Sequence, residues 1–125
     1  MTIPTLIAVF IGGGAGASCR YGVGRVVGAY YRGAFPLGTF LINGAGCFAL
    51  GLVYSLLAAR HDTTFPAALI ETGFLGGYTT FSSYALETVL LHRGGRPRLA
   101  VLNLVGSVAL GLLAAAAGAG VTRLA

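Results

Sequence analysis

Residues 73 to 84, Gly73-Phe74-Leu75-Gly76-Gly77-Tyr78-Thr79-Thr80-Phe81-Ser82-Ser83-Tyr84, set a glycine pair and a run of hydroxyls inside a stretch otherwise apolar enough to cross a bilayer. In hydrocarbon such groups need a neighbouring helix, an ion or water to satisfy them. The chemistry they suggest is ion coordination. A helix that unwinds at Gly76-Gly77 frees backbone carbonyls for a small cation, and Thr79, Thr80, Ser82 and Ser83 place hydroxyl donors just beyond. A glycine kink repaired by Ser and Thr back-bonding is the plainer alternative.

Other polar groups lie in equally apolar surroundings. Asn43 falls about two turns beyond Pro36, beside Gly44, Gly46 and Gly51, and its amide needs either an interhelical partner or a pore to face. Asn103 and Ser107 are four apart, hence on one helix face, and share their segment with Gly106, Gly111 and Gly118. Arg20-Tyr21 close the first apolar run, where the arginine can snorkel to the interface or pair inward. His61 beside Asp62 reads as a solvated loop pair, and Cys19 and Cys47 as buried small hydrophobes rather than a disulfide or metal set. Three acids and two histidines in the chain offer no nucleophile with an adjacent base, which argues against an enzyme.

The elements that position these residues are membrane spans. At 125 residues, 56% hydrophobic and 9% charged, with a mean hydropathy of +0.85, the chain is too apolar for a soluble domain of its size. Residues 33–59 and 99–122 contain no Asp, Glu, Lys or Arg, and each run exceeds the roughly 20 residues a spanning helix needs. With residues 2–19 and 65–91 the simplest count is four spans, at about 2–27, 36–59, 65–92 and 99–122, in a single transmembrane domain. The apolar start lacks a basic n-region and leads into Gly12-Gly13-Gly14-Ala15-Gly16-Ala17, a small-residue stripe for close helix packing rather than a signal peptide or a nucleotide loop. The formal charge of +5 is all arginine, which in a polytopic chain bears on topology and anionic lipid, not on nucleic acid.

Arg20-Tyr21 after a glycine-rich first helix, Pro36-x-Gly38-Thr39-x-x-x-Asn43-x-x-Gly46-x-x-x-x-Gly51 in the second, and Gly73-Phe74-Leu75-Gly76-Gly77-x-Thr79-Thr80-Phe81-Ser82-Ser83 in the third together resemble the Fluc/CrcB fluoride channels, over nearly the whole chain. The resemblance implies an all-α membrane protein of four transmembrane helices per subunit, the third broken, paired as an antiparallel dual-topology dimer in the cell membrane. It implies passive fluoride export that lowers cytoplasmic fluoride toxicity, and a structural sodium ion held by backbone carbonyls of Gly76 and Thr79 from both subunits. The fluoride pathway it implies runs by Asn43, Thr80, Phe81, Ser83, Tyr84 and Ser107, with the electropositive ring edge of Phe81 facing the anion. Such a pore has to replace the water of a small, strongly hydrated ion with donors mild enough to release it, and fixed positive charge would bind too well.

The chain departs from that pattern at Tyr84, where the family carries its second pore phenylalanine; at Asn103, often an aromatic; and at Gly111, often a hydroxyl. A tyrosine keeps the ring edge and adds a hydroxyl, so altered conduction is expected. The arginines suggest the partner. Arg20, Arg25, Arg32, Arg93, Arg96 and Arg98 fall on one side of four spans, and Arg60 and Arg123 on the other. This bias puts both termini outside and favours one insertion, hence pairing with an oppositely biased homologue over pairing with itself. Two rival readings are a scaffold subunit of a heteromeric channel and a small proton-coupled multidrug exporter. The exporter needs a deep carboxylate, and Glu71 and Glu87 read as vestibular or interfacial instead.

Overall fold

The computed structural model describes residues 2–58 and 64–122, and every element among them is helical. Arg60, His61, Asp62 and Arg123 lie outside the described residues. Pro4 stands in the first turn of α1 (Ile3–Tyr30), where a missing N–H costs nothing. Helix α2 (Leu37–Ala58) starts just after Pro36, whose carbonyl takes the Phe40 N–H at 3.1 Å. The next stretch is built in pieces: α3 (Thr64–Ala67), a π-helical segment (Ala68–Leu75), α4 (Gly76–Tyr78) and α5 (Phe81–Arg93). Gly95, at φ 72°, reverses the chain so that the Arg96 N–H caps the Leu91 carbonyl at 2.9 Å, and α6 (Pro97–Val121) follows.

Helices α1, α2 and α6 are long and apolar enough to cross a membrane, with mean hydropathies of 1.3, 1.8 and 2.2. Their outward faces are as apolar as their inward ones: Phe10 is 83% and Leu113 71% exposed. Helices apolar all round have lipid, not water, as their solvent, and the chain is a multi-pass membrane protein.

Since lipid gives apolar side chains no reason to leave it, the helices associate by close packing. Helix α1 lies against the π-helical segment and α4, with glycine on both sides. A Cβ on Gly12 would strike the Leu69 carbonyl oxygen, and one on Gly77 would strike the Gly13 backbone. Helix α2 lies on α6 in the same way, Gly51 under the Ala115 carbonyl and Gly118 under that of Phe48. Gly12→Ala is therefore expected to cost about 1–3 kcal/mol through overpacking. Gly14→Ala, which meets nothing within 4 Å, should be neutral or stabilising; thermal melts in detergent compare the two.

Two expectations are corrected. The break does not fall at Gly76-Gly77: Gly76 is right-handed helical (φ −63°, ψ −38°), and the chain leaves the helix at Thr79 (ψ 158°) and Thr80 (φ −147°, ψ 117°). Gly77 serves close approach to Gly13 of α1, and the opening comes where a side chain from α2 replaces the helical hydrogen bond. Cys19 is exposed rather than buried, because the inward stripe of α1 is Gly12 and Gly16; Cys47 is half-buried, and both thiols are free.

Candidate ion pathway

The break is held by one amide. Asn43 Nδ2 donates to the Thr80 carbonyl at 2.9 Å, and the Thr80 N–H donates to Asn43 Oδ1 at 2.8 Å. Only this orientation of the amide satisfies both peptide groups. Thr80 then restarts the helix as the N-cap of α5, its hydroxyl accepting from the Ser83 N–H at 3.2 Å and donating to Ser83 Oγ at 3.2 Å.

These substitutions leave carbonyls behind. In a continuous helix the Gly76 carbonyl would accept from the Thr80 N–H and the Thr79 carbonyl from the Ser83 N–H, yet both donors are spent on side chains. Gly76 is exposed and Thr79 half-buried, and both line the same groove. Bare peptide oxygens at a helix break are hard donors of the kind alkali cations take, so the residues present fit a sodium ion there.

The break separates two cavities. A groove of about 530 Å³ is lined by Asn43, Gly76, Thr79, Phe81, Tyr84 and Ser107 among others; a second, of about 480 Å³, has Arg20, Arg25, Thr39, Ser83 and Glu87 on its walls. Thr80 lines both. Every position read from the sequence as part of a fluoride path thus borders one cavity or the other, with Ser83 on the arginine side and Phe81, Tyr84 and Ser107 opposite. Phe81 is 79% exposed at the groove's edge, its ring centroid 5.5 Å from that of Tyr84. Ser83 Oγ accepts from Thr80 but has no acceptor for its own proton among the described residues.

Tyr84 is buried, and its hydroxyl donates to the Leu104 carbonyl on α6 at 3.0 Å. The extra oxygen of this tyrosine is thus tied to backbone rather than loose in the groove. Tyr84→Phe is expected to shift stability by under about 1 kcal/mol and fluoride efflux by less than about twofold. Melts and electrode traces on the same preparation check both.

Thr39 belongs to the motif of the second span and gains a role in the fold. Its hydroxyl donates to Glu87 Oε1 at 2.8 Å, while Glu87 Oε2 and Glu71 Oε1 are buried without a hydrogen-bond partner among the described residues. The signal was present in the spacing, since Thr39 and Asn43 are four apart on one face of α2. Glu71 lines the groove rather than the arginine-side cavity.

A helical membrane protein whose broken helix sits between a polar cavity and a groove of ring edges and hydroxyls belongs to the class of transporters and channels, not enzymes. A family model described as "CrcB-like protein, Camphor Resistance (CrcB)" matches residues 7–119. The chain is 48% identical over 123 residues to "Fluoride-specific ion channel FluC 2" of Brucella abortus biovar 1 (strain 9-941), covering 95% of each. It is 50% identical over 115 residues to "Fluoride-specific ion channel FluC 1" of Brucella melitensis biotype 1, covering 89% of this chain and 93% of that one. To "Fluoride-specific ion channel FluC" of Paracoccus denitrificans (strain Pd 1222) it is 44% identical over 119 residues, covering 95% and 94%. The chain belongs to the CrcB family, whose relatives named above are fluoride channels.

Proposed function

We propose that this chain is a subunit of a fluoride-selective channel that lets fluoride leave the cell passively and so lowers its toxicity. The observation that carries the reading is Thr80, which lines both cavities and is fixed there by Asn43. Fluoride sheds water only where donors replace it, and the break supplies them with no lysine or arginine among the described residues lining the groove, while Arg20 and Arg25 border the other cavity. Asn43 keeps a second amide hydrogen, Ser83 a hydroxyl proton, and Phe81 and Tyr84 an electropositive ring edge each. Thr80 and Ser107 complete the path. Neutral fluoride acid that enters and ionises inside would then leave by its electrochemical gradient, without ATP.

The residues from 64 to 93 act as one broken span, giving four spans per subunit. Two subunits pair in opposite orientations across the face that carries Phe81, and the carbonyls of Gly76 and Thr79 hold a structural sodium ion between them. The exposure of Phe81 and Gly76 in a single chain supports that pairing. Six arginines against two support an oppositely biased homologue as the partner, with a self-pair as the alternative. Fluoride efflux from liposomes carrying this chain alone, and this chain with a co-expressed homologue, tests both statements. Equal efflux overturns the partner; efflux in neither overturns the channel. Glu71, on the groove with a buried oxygen that has no hydrogen-bond partner among the described residues, favours a proton-coupled exporter, and exchange of a lipophilic cation for protons in those liposomes would establish it instead.

A further inference from the structure

Asn103 is 1% exposed, and the directions of its hydrogen bonds follow from its neighbours. Thr88 Oγ1 donates to the Tyr84 carbonyl at 2.8 Å, which spends its only proton. Toward Asn103 it can only accept, and Asn103 Nδ2 reaches it at 2.8 Å and the same Tyr84 carbonyl at 3.4 Å. Turning the amide round would set Oδ1 against two acceptors, so Oδ1 points the other way, to Ser107. Ser107 Oγ donates to it at 3.2 Å. The result is a one-way chain of donors, Ser107 to Asn103 to Thr88 to a carbonyl, anchored in the seam between α5 and α6.

We infer that Asn103 is a positioning residue for the pathway: it holds the proton of Ser107 away from the groove, so that Ser107 meets the ion path with oxygen lone pairs. The inference rests on the reading of the groove as a fluoride path. An anion gains nothing from a lone pair, but a water molecule can give one hydrogen to fluoride and the other to Ser107. The α6 wall therefore serves the ion's water, since the Tyr84 hydroxyl is also spent on α6, at Leu104. Direct donors to the ion come from α2 and α5, through Asn43 and Ser83. Ser107 borders the groove half-buried, so its oxygen is within reach of that water.

Fluoride efflux from liposomes tests this with Ser107→Ala in three backgrounds. Alone, Ser107→Ala is expected to lower the rate by about threefold to tenfold, because it removes the oxygen that accepts from the ion's water. Asn103→Leu frees the Ser107 proton to turn to the ion, and the Ser107→Ala factor in that background should differ from the wild-type factor by more than about threefold. Thr88→Val loosens the same seam but leaves Asn103 held by the Tyr84 carbonyl, so there the Ser107→Ala factor should match the wild-type factor within about threefold. A merely structural Asn103 would give the same Ser107→Ala ratio with and without leucine, and that result overturns the proposal. So does an unchanged rate for Ser107→Ala alone, an arm that needs no change at Asn103. Wild-type liposomes that retain their fluoride would instead sink the channel reading.

Discussion

Asn43→Leu is expected to abolish the pathway, lowering fluoride efflux by about a hundredfold or more and the melting temperature with it. The amide satisfies both peptide groups of the buried Thr80. Leucine is close in volume but leaves a buried N–H and a buried carbonyl, each costing about 1–3 kcal/mol when unpaired. The backbone has one way to recover them: the Thr80 N–H can return to the Gly76 carbonyl, annealing the break into continuous helix. Either outcome displaces Thr80, which lines both cavities, and a loss of about 3 kcal/mol in the conducting geometry is about two orders of magnitude in rate. A fluoride electrode on proteoliposomes, with melts of the same preparation, checks it. A leucine variant that conducts within about threefold of wild type would contradict the role given to Asn43.

The second large effect is expected at Phe81, with the opposite division between stability and rate. Its side chain is 79% exposed in the single chain, so Phe81→Ile should leave the subunit's melt within about 0.5 kcal/mol. The aliphatic side chain fills similar space yet has no quadrupole and therefore no electropositive edge to offer an anion. Efflux is expected to fall by about tenfold to a hundredfold, equivalent to about 1.4–2.8 kcal/mol of lost ion stabilisation. Electrode traces and size-exclusion profiles separate the two readouts. Unchanged efflux with a changed profile would make Phe81 a packing residue only.

Much of this was legible in the residues alone. Arginine-free runs mark the long apolar helices because a charge in hydrocarbon is costly, and that cost leaves a plain blank in the sequence. Asn43 was legible as an amide in need of a partner, and residues 73–84 as a place where a helix has reason to open. What was not legible was where it opens. Gly76-Gly77 looks like a breaking point by propensity, but propensity is overruled by packing: Gly77 lets α4 touch α1, and the opening moves to the residues that Asn43 can reach. The joint engagement of Tyr84, Thr88 and Asn103 was equally hidden. It depends on the register between α5 and α6, set by the tight turn at Gly95, and no local pattern reveals which faces that turn brings together. The departures at Tyr84 and Asn103 looked separate in the sequence and are joined at one seam in the fold.

Fluoride movement through purified protein tests the channel before any other property. Liposomes loaded with potassium fluoride, carrying this chain with its partner subunit, are made permeable to potassium, and the fluoride released is read by electrode. Rapid release that needs no proton gradient, and that liposomes loaded with chloride do not match, is expected. Fluoride that stays inside, or leaves only when a proton gradient is imposed, would contradict it.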